Sequence, residues 1–565
     1  MFPENWIIRE SSLSPLNPVQ HPVLDRVLQS RNIPSWAQPR KLALLPQPTL
    51  KGLDEAVLLL EQARMNQWSI VVCGDYDVDG ATSTVLVIRA LRSMGYLQVR
   101  YAVPDRFRMG YGLSCALIDA VRQDGPVDLI ITVDNGTASL EAVAYAQSLN
   151  LKVLITDHHL PGDELPAADA LVNPQQPECP FPDKTLAGVG VAFYLMTALR
   201  SRLIQSLPGP FPMAASWLDL VALGSVADLV SLQGINRILV HQGIMRMRQH
   251  HCVPGIIALA EVCGRDLGCL QANDLGFYLG PRINAAGRLE HMHVGIECLL
   301  TDDLDQARLY AQRLHQLNLE RRQIQDEMHT QALDDVLDVQ GDGRRTQVVF
   351  QEHWHEGIVG LVASRLKEKL HIPVIALAQS QEEGILKGSA RSIPGAHIRD
   401  LLVEIDAVYP GMLLRFGGHA AAAGLTLRKE NLARFEQAFE QCVVRRVDQG
   451  CFEQTYAYDG ELSPEFLDIE TALLLEESGP WGQGCPEPRF AGTFFIRHQQ
   501  LLKDRFLKME LQSGSRVVPA IWFGPDLKRW PDPEVRQVHV LYCLEVNRFR
   551  TPQLQLRIEQ LVHAS

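Results

Sequence analysis

The chain has 565 residues, a formal charge of -13, and 46% hydrophobic and 21% charged residues, which excludes a single core and predicts about three or four domains of ordinary globular composition. No apolar run reaches the roughly 18 residues of a membrane helix, the start MFPENWIIRESS has no charged n-region before an apolar h-region, and the eleven cysteines show no CxxC spacing, so a cytoplasmic chain with no membrane contact is expected. The acidic balance excludes a protein that coats nucleic acid by charge alone, though not one with a narrow basic groove or with metal ions that offset phosphates.

Residues 1–50 carry many prolines and little periodicity, and read as an extended lead-in with one helix near Val23 to Ser30. Helical spacing follows from Leu53 to Asn66. Strand and helix patterns then alternate: strand Ile70 to Cys73, helix Thr82 to Met94, strand Val99 to Val103, helix Ser114 to Gln123, strand Leu129 to Val133, helix Leu140 to Leu149, strand Val153 to Thr156. Such alternation predicts an α/β unit with a parallel sheet, which binds ligands outside the C-terminal ends of its strands.

Those ends carry the chemistry. Asp75 and Asp77 follow the first strand two residues apart, so they leave it on one side as paired hard oxygen ligands. Two close carboxylates resist ionising together unless a cation lies between them. The strand LIITV ends in Asp134, the strand VLIT ends in Asp157, His158 and His159, and the apolar helix LDLVALGSVADLV offers Asp228. Four Asp and two His suit a pair of divalent ions, with imidazole shifting preference from Mg²⁺ toward Mn²⁺. Asp79, beside Gly80, reads as readily as a cap or turn residue as it does as a functional one. Asp157, just before the His pair, reads as the group that orients an imidazole rather than as a ligand.

GDYDVDG at 74–80, VDNG at 133–136, TDHH at 156–159 and SVAD at 225–228 resemble, in this order, the four signature motifs of the DHH phosphoesterase superfamily. PDRFRMGYGLS at 104–114, LAGVGVAFYLM at 186–196, GPRINAAGR at 280–288 and FGGHAAAAG at 416–424 extend the likeness. The resemblance implies that Asp75, Asp77, Asp134, His158, His159 and Asp228 are catalytic and hold two Mn²⁺ or Mg²⁺ ions, with Asp79 and Asp157 in support. It departs at Cys73, where some relatives carry His. It implies substrate contacts by Arg106, Tyr111, Arg282, Asn284, Arg288, His355, Ser389, Arg391, Gly417, Gly418 and His419.

Beyond Asp228, GPRINAAGR reads as a loop whose small residues allow close backbone approach, for phosphate contact or as a brace between domains. From Asp303 to Val339 charged residues alternate with Leu, Ile and Met at helical spacing, a long connecting helix that QGDGRR at 340–345 ends. In the next unit GSARS at 388–392 places Ser389 and Arg391 on a short exposed turn near the Gly-rich FGGHAAAAG, a combination suited to a terminal phosphate. From Gly450 onward, alternating runs such as FLKMELQ predict an OB-type β-barrel. Its aromatic residues are Phe494, Phe495, Trp522, Phe523, Tyr542 and Phe549. Most read as core, the rest as a stacking face for bases.

The expected division is a lead-in at 1–50, a DHH catalytic domain at 51–302, a connecting helix at 303–345, a smaller α/β DHHA1-type substrate domain at 346–448, and an OB-type domain at 449–565. The resemblance implies a 5′-to-3′ exonuclease specific for single-stranded DNA that has a 5′ end, which releases mononucleotides by two-metal hydrolysis in DNA repair and recombination. It also implies a monomer that meets a helicase and a single-strand-binding protein. The residues alone leave room for a small-substrate phosphoesterase, a non-catalytic DNA-binding relative, or an unrelated Zn hydrolase. The first would have little use for the barrel, the second would have lost ligands, and the third would not need the sheet-edge arrangement.

Overall fold

Every residue of Ile70–Cys73 (β2) and Leu129–Val133 (β4) is buried, as near-continuous apolar runs require when helices cover both faces of a parallel sheet. The structure is a computed structural model that describes residues 2–10, 21–33, 41–106, 109–207, 209–337, 343–527 and 529–564, with side chains described to residue 333 in the helix ending at Leu337. Parts of the expected lead-in (11–20 and 34–40), Phe107 and Arg108 of PDRFRMGYGLS, and part of QGDGRR lie outside the described residues. The chain forms two compact units, residues 1–315 with 457–565, and residues 316–456.

The first unit opens with β1 (Trp6–Ile8), α1 (Pro22–Gln29) and α2 (Leu53–Met65), then β2, α3 (Val78–Ser93), β3 (Val99–Ala102), α4 (Cys115–Gln123), β4, α5 (Leu140–Ser148), β5 (Lys152–Thr156) and β6 (Ala170–Val172). The five strands pair in parallel in the order β3-β2-β4-β5-β6. On one face Val71, Ile130 and Ile155 pack with Ile118 of α4 and Val143 of α5. Chain order reverses between β2 and β4, so their C-terminal ends flank the switch point where such sheets bind ligands.

Helical layers complete this part: α6 (Gly188–Ser206), α7 (Leu218–Ala227), α8 (Gly234–Arg248), α9 (Pro254–Cys263), the short α10 (Ala272–Asp274), α11 (Gly280–Leu289), α12 (His293–Leu300) and the first residues of α13 (Leu304–Leu337), which belongs to the second unit from residue 316 onward. Two expectations need correction. The helix after β2 starts at Val78 rather than Thr82, because the Asp77 carboxylate caps it by accepting from the Gly80 amide at 3.0 Å. GPRINAAGR is helix α11 rather than a loop. Its glycines serve packing: a Cβ on Gly287 would collide with the Tyr76 carbonyl oxygen.

The second unit holds β7 (Gln347–Gln351), α14 (Val359–Leu370), β8 (Val374–Gln379), β9 (Ile385–Arg391), α15 (Ile398–Val408), β10 (Leu413–Gly418), β11 (Ala422–Arg428) and α16 (Leu432–Arg446), with sheet order β10-β11-β9-β8-β7. GSARS is not an exposed turn. Ser389 lies inside the central strand β9, opposite Ala376 on one side and Gly424 on the other, because ladder pairing on both edges overrides the local Gly and Ser preference for turns.

After β12 (Tyr456–Tyr458) and α17 (Ile469–Glu477), strands β13 (Phe490–Leu502), β14 (Phe506–Ser513), β15 (Arg516–Trp522), β16 (Gln537–Asn547) and β17 (Gln553–His563) close a barrel in the order β13-β14-β15-β17-β16, joined by parallel pairing of β15 with β17. Phe494, Trp522 and Tyr542 are buried in it, whereas Phe495, Phe523 and Phe549 are exposed. The lead-in is partly tied to this region. β1 pairs with β12, and Arg31 reaches the buried Asp459 at 2.7 Å. No helix among the described residues is long and apolar enough to cross a membrane.

Candidate metal centre

Side chains from β2, β4, β5 and α7 meet at the C-terminal edge of the parallel sheet. Three groups of candidate ligand atoms lie within 4.8 Å of one another: Asp75 with Asp77 and Asp134, Asp134 with His158 and His159, and Asp79 with His158 and Asp228. Asp134 and His158 each belong to two groups, which makes the three contiguous. His158 Nε2 stands 3.1 Å from Asp134, 3.6 Å from Asp228 and 3.9 Å from Asp79. All six residues expected to be ligands are thus brought together, and Asp79 stands among them.

Local structure explains each placement. Asp134 takes a left-handed backbone (φ 61°) at the end of β4, a conformation that costs a non-glycine residue energy and often marks a functional position. It is crowded there, since a Cβ on Gly188 would lie 2.7 Å from Asp134 Cβ. Asp79 accepts the Gly188 and Val189 amides at 2.6 and 2.9 Å, so the N-terminus of α6 holds its carboxylate. Asp228 follows α7 as its C-cap residue.

Asp157 accepts from the amides of Thr137, His158 and His159 at 2.8, 2.7 and 3.1 Å, and its Oδ1 lies 2.7 Å from His159 Nδ1. Burial pushes this carboxyl up, but the His159 hydrogen bond and charge, with the amides, hold it below the usual carboxylate range. A proton on His159 Nδ1 leaves Nε2 with its lone pair outward, as a metal-binding imidazole needs. Asn135 and Asn173 were not singled out by the sequence reading. Asn135 receives the Leu113 amide at 3.1 Å, and Asn173 donates to the His159 carbonyl at 2.8 Å. The only sequence signal for Asn173 is a polar residue directly after the short strand β6.

The electrostatics suit divalent cations. Burial, and then neighbouring carboxylates, push Asp75, Asp134 and Asp228 well above the ordinary range, and Asp79 is pushed up to about 7 by burial and Asp77. Asp75 Oδ1 is buried with no hydrogen-bond partner among the described residues. Five crowded carboxylates with two imidazoles and unsatisfied oxygen form a donor set that fits hard divalent ions and fits few other occupants.

The expected substrate residues fall in both units. Arg106 lies over the Tyr76 ring at 4.7 Å, and the Tyr111 hydroxyl donates to the Asp134 carbonyl at 3.0 Å, with a His159 ring nitrogen at 3.2 Å. Arg282 is buried in α11 and donates to the Tyr278 carbonyl at 2.7 Å and to His315 Nδ1 at 3.1 Å. Asn284 and Arg288 are half-buried on the same helix. In the second unit Arg391 donates to Ser389 Oγ at 2.6 Å and to Ser364 Oγ at 3.2 Å. There, His355 Nδ1 accepts the Gly357 amide at 3.1 Å, Gly417 and Gly418 end β10, and the His419 amide donates to Ala422.

A sheet edge with this donor set defines the class of DHH phosphoesterases, and residues 69–225 match the DHH family, N-terminal domain. Residues 344–445 match the DHHA1 domain, and residues 458–560 match the RecJ OB domain. The chain is 45% identical over 554 residues to the single-stranded-DNA-specific exonuclease RecJ of Escherichia coli K12, covering 96% of each. Against the RecJ of Dickeya dadantii it is 47% identical over 531 residues, covering 92% of each. The chain belongs to the RecJ family. Its fold is also similar to the crystal structure of RecJ in complex with Mn²⁺ from Thermus thermophilus, with a TM-score of 0.79 and 29% identity over 96% of this chain and 76% of that one. A second crystal structure of that protein is in complex with Mg²⁺ and gives a TM-score of 0.73.

Proposed function

We propose that this chain hydrolyses single-stranded DNA from its 5′ end and releases 5′-mononucleotides, using two Mn²⁺ or Mg²⁺ ions held by Asp75, Asp77, Asp134, His158, His159 and Asp228. The observation that carries this reading is the convergence of these six side chains, with Asp79, at one sheet edge. The names of the RecJ relatives, single-stranded-DNA-specific exonucleases, support the substrate class. When bound, such ions polarise a phosphoryl oxygen, lower the pKa of a water and stabilise developing charge. The chain's own groups prepare the site. Asp157 fixes the His159 imidazole through Nδ1, Tyr111 holds the Asp134 carbonyl, and the amides of Gly188 and Val189 hold Asp79. Arg391 and Ser389 grip a 5′-terminal phosphate, Gly417, Gly418 and His419 present a close backbone beside it, and this grip sets the 5′-to-3′ direction. Arg106, Tyr111, Arg282, Asn284, Arg288 and His355 contribute substrate contacts. No covalent intermediate is formed, so the eleven cysteines serve no chemical step.

The working division is a lead-in at 1–50, the catalytic domain at 51–302, the connecting helix at 303–345, the substrate domain at 346–448 and the barrel at 449–565. The enzyme acts in DNA repair and recombination, in the cytoplasm, as a monomer, beside a helicase and a single-strand-binding protein. The test is purified protein with Mn²⁺ or Mg²⁺ on single-stranded DNA labelled at either end. Mononucleotides from the 5′ end are expected, and His158→Ala or Asp134→Ala should abolish them while much of the DNA binding remains. Cleavage that survives both substitutions would refute the assignment.

A further inference from the structure

Leu275–Leu279, between α10 and α11, is a π-helical turn in which the Gly280 amide donates to the Leu275 carbonyl five residues back. Such wide turns occur often at functional sites. This one buries Leu275 and Leu279 and leaves the Phe277 ring 68% exposed. It packs on the end of α7 that leads into Asp228: a Cβ on Gly276 would lie 3.3 Å from Val226, and one on Gly280 would lie 3.4 Å from Ala227 and 3.9 Å from Val78. Val78 and Ala227 are the chain neighbours of Asp77 and Asp228. Phe277 therefore lies, exposed, on a turn whose neighbouring residues pack on the segments that lead into Asp228 and follow Asp77.

The same segment is fastened to the barrel. Asp274, which leads into the π-turn, accepts the Gln271 amide at 2.9 Å, and the Gln271 side chain donates to Glu476 of α17 at 2.7 Å. Glu476 takes both Nη atoms of Arg548, at 2.7 and 3.0 Å, on the turn between β16 and β17. The next residue is Phe549, 85% exposed, with the Arg550 guanidinium 5.8 Å over its ring. A continuous polar connection thus links the segment that leads into Phe277 with the residue that precedes Phe549 on the barrel turn. A single exposed ring is ordinary. Two exposed rings in the compact unit that also carries the metal centre, joined through hydrogen-bonded side chains, are a different matter, because an unpaired base offers a π-face that such rings can stack on and a duplex does not.

We propose that Phe277 and Phe549 are base-stacking stations on the path of the single strand, Phe277 next to the metal centre and Phe549 on the barrel turn. The assignment rests on the exonuclease reading above. It adds a source of single-strand selectivity within the first compact unit, since only unstacked bases can use either station.

The test uses the full chain and a single-stranded oligodeoxynucleotide carrying 2-aminopurine at successive positions, with binding measured in EDTA so that no cleavage intervenes. Wild type should quench the probe at two separate positions. Phe277→Ala should remove the quench nearer the 5′ end and Phe549→Ala the one further from it, each weakening binding by about fivefold or more, the factor that a stack of ~1 kcal/mol represents. Phe277→Trp should keep both signals. The assignment is overturned if both alanine variants bind within twofold of wild type with unchanged quenching, or if Phe277→Trp is as weak as Phe277→Ala, which would make the ring a packing element. Cleavage of end-labelled DNA by wild type with Mn²⁺ tests the exonuclease reading separately, so failure of one leaves the other standing.

Discussion

Asp157 lies at the end of β5 with both carboxylate oxygens engaged by amides and its Oδ1 also facing His159 Nδ1. Replacing it with Asn keeps the size but removes the charge, and places an amide NH₂ where donors already point. Asp157→Asn should therefore lower Mn²⁺ affinity or kcat by about 10- to 100-fold, the usual cost of losing the partner of a ligating imidazole, while affinity for single-stranded DNA changes little. Mn²⁺ titrations of activity beside anisotropy binding would show the split, and an equal loss of both would argue against the orienting role. The contact itself was legible in the sequence, because an acid directly before a His pair at a strand end lies within reach of an imidazole. The demand for glycine at 188 was not legible. Nothing within LAGVGVAFYLM itself demands it, and only the fold brings Asp134 within 2.7 Å of where a Cβ would sit. The place of Asp79 was ambiguous for a related reason: its partners are amides more than a hundred positions away.

Periodicity located four of the five strands of the parallel sheet within a residue or so, since a buried parallel strand writes itself as an apolar run; it missed β6 (Ala170–Val172), which is only three residues long. It misjudged elements whose composition argues one way and whose surroundings argue another. In α11, glycine and asparagine favour a loop, yet the helix forms because Arg282, Ile283, Ala285 and Ala286 are buried along it and Gly287 lets it rest on the Tyr76 carbonyl. A methyl at Gly287 must push Tyr76 and hence the flanking Asp75 and Asp77. Gly287→Ala should lower kcat by up to about 100-fold, as misplacement of catalytic groups by an ångström does, and ion-dependent stabilisation should weaken with it. Unchanged kcat would show that the α11 contact does not position the first motif.

The lead-in was similarly under-read. Arg9 and Arg31 bind Asp459, at 2.9 and 2.7 Å, across more than four hundred residues. Burial pushes the Asp459 carboxyl up, yet the Arg31 hydrogen bond and charge, with Arg9, bring it below its ordinary value of 3.8. Because the folded form is the stronger acid, its contribution is full above the unfolded value near 3.8 and fades as pH falls through the lower folded value. Asp459→Asn should cost about 3–5 kcal/mol near neutral pH by leaving buried arginines unpaired, with a smaller deficit below about pH 4. Denaturant melts at both pH values would check it. A deficit that does not shrink in acid would contradict the ion-pair account.

At the scale of the whole chain, the order of a parallel-sheet segment, a second α/β segment and a barrel could be read from texture, but the way they group could not. The barrel belongs to the same compact unit as residues 1–315 although residues 316–456 of the other unit intervene, because Arg9 and Arg31 reach Asp459, Arg237 donates to the carbonyls of Ser478 and Pro480, and Leu232 pairs with Gln483. No local pattern announces such contacts. One consequence concerns ion binding. Burial first, and then repulsion among the carboxylates at the sheet edge, raises Asp75, Asp134 and Asp228 when no cation offsets them. An ion that binds only the folded chain adds RT ln(1 + [L]/Kd), about 2.7 kcal/mol at a hundredfold excess over Kd. Mn²⁺ should therefore raise the unfolding temperature, and tryptophans placed near the barrel, Trp481 and Trp522, should report the rise because they share the unit that holds the ions. Asp134→Asn removes one repelling charge as well as one ligand, so the metal-free variant should be at least as stable as wild type while losing most of the Mn²⁺ shift. Calorimetry with and without Mn²⁺ separates the two effects, and an Asp134→Asn protein that keeps the full shift would place the ions elsewhere.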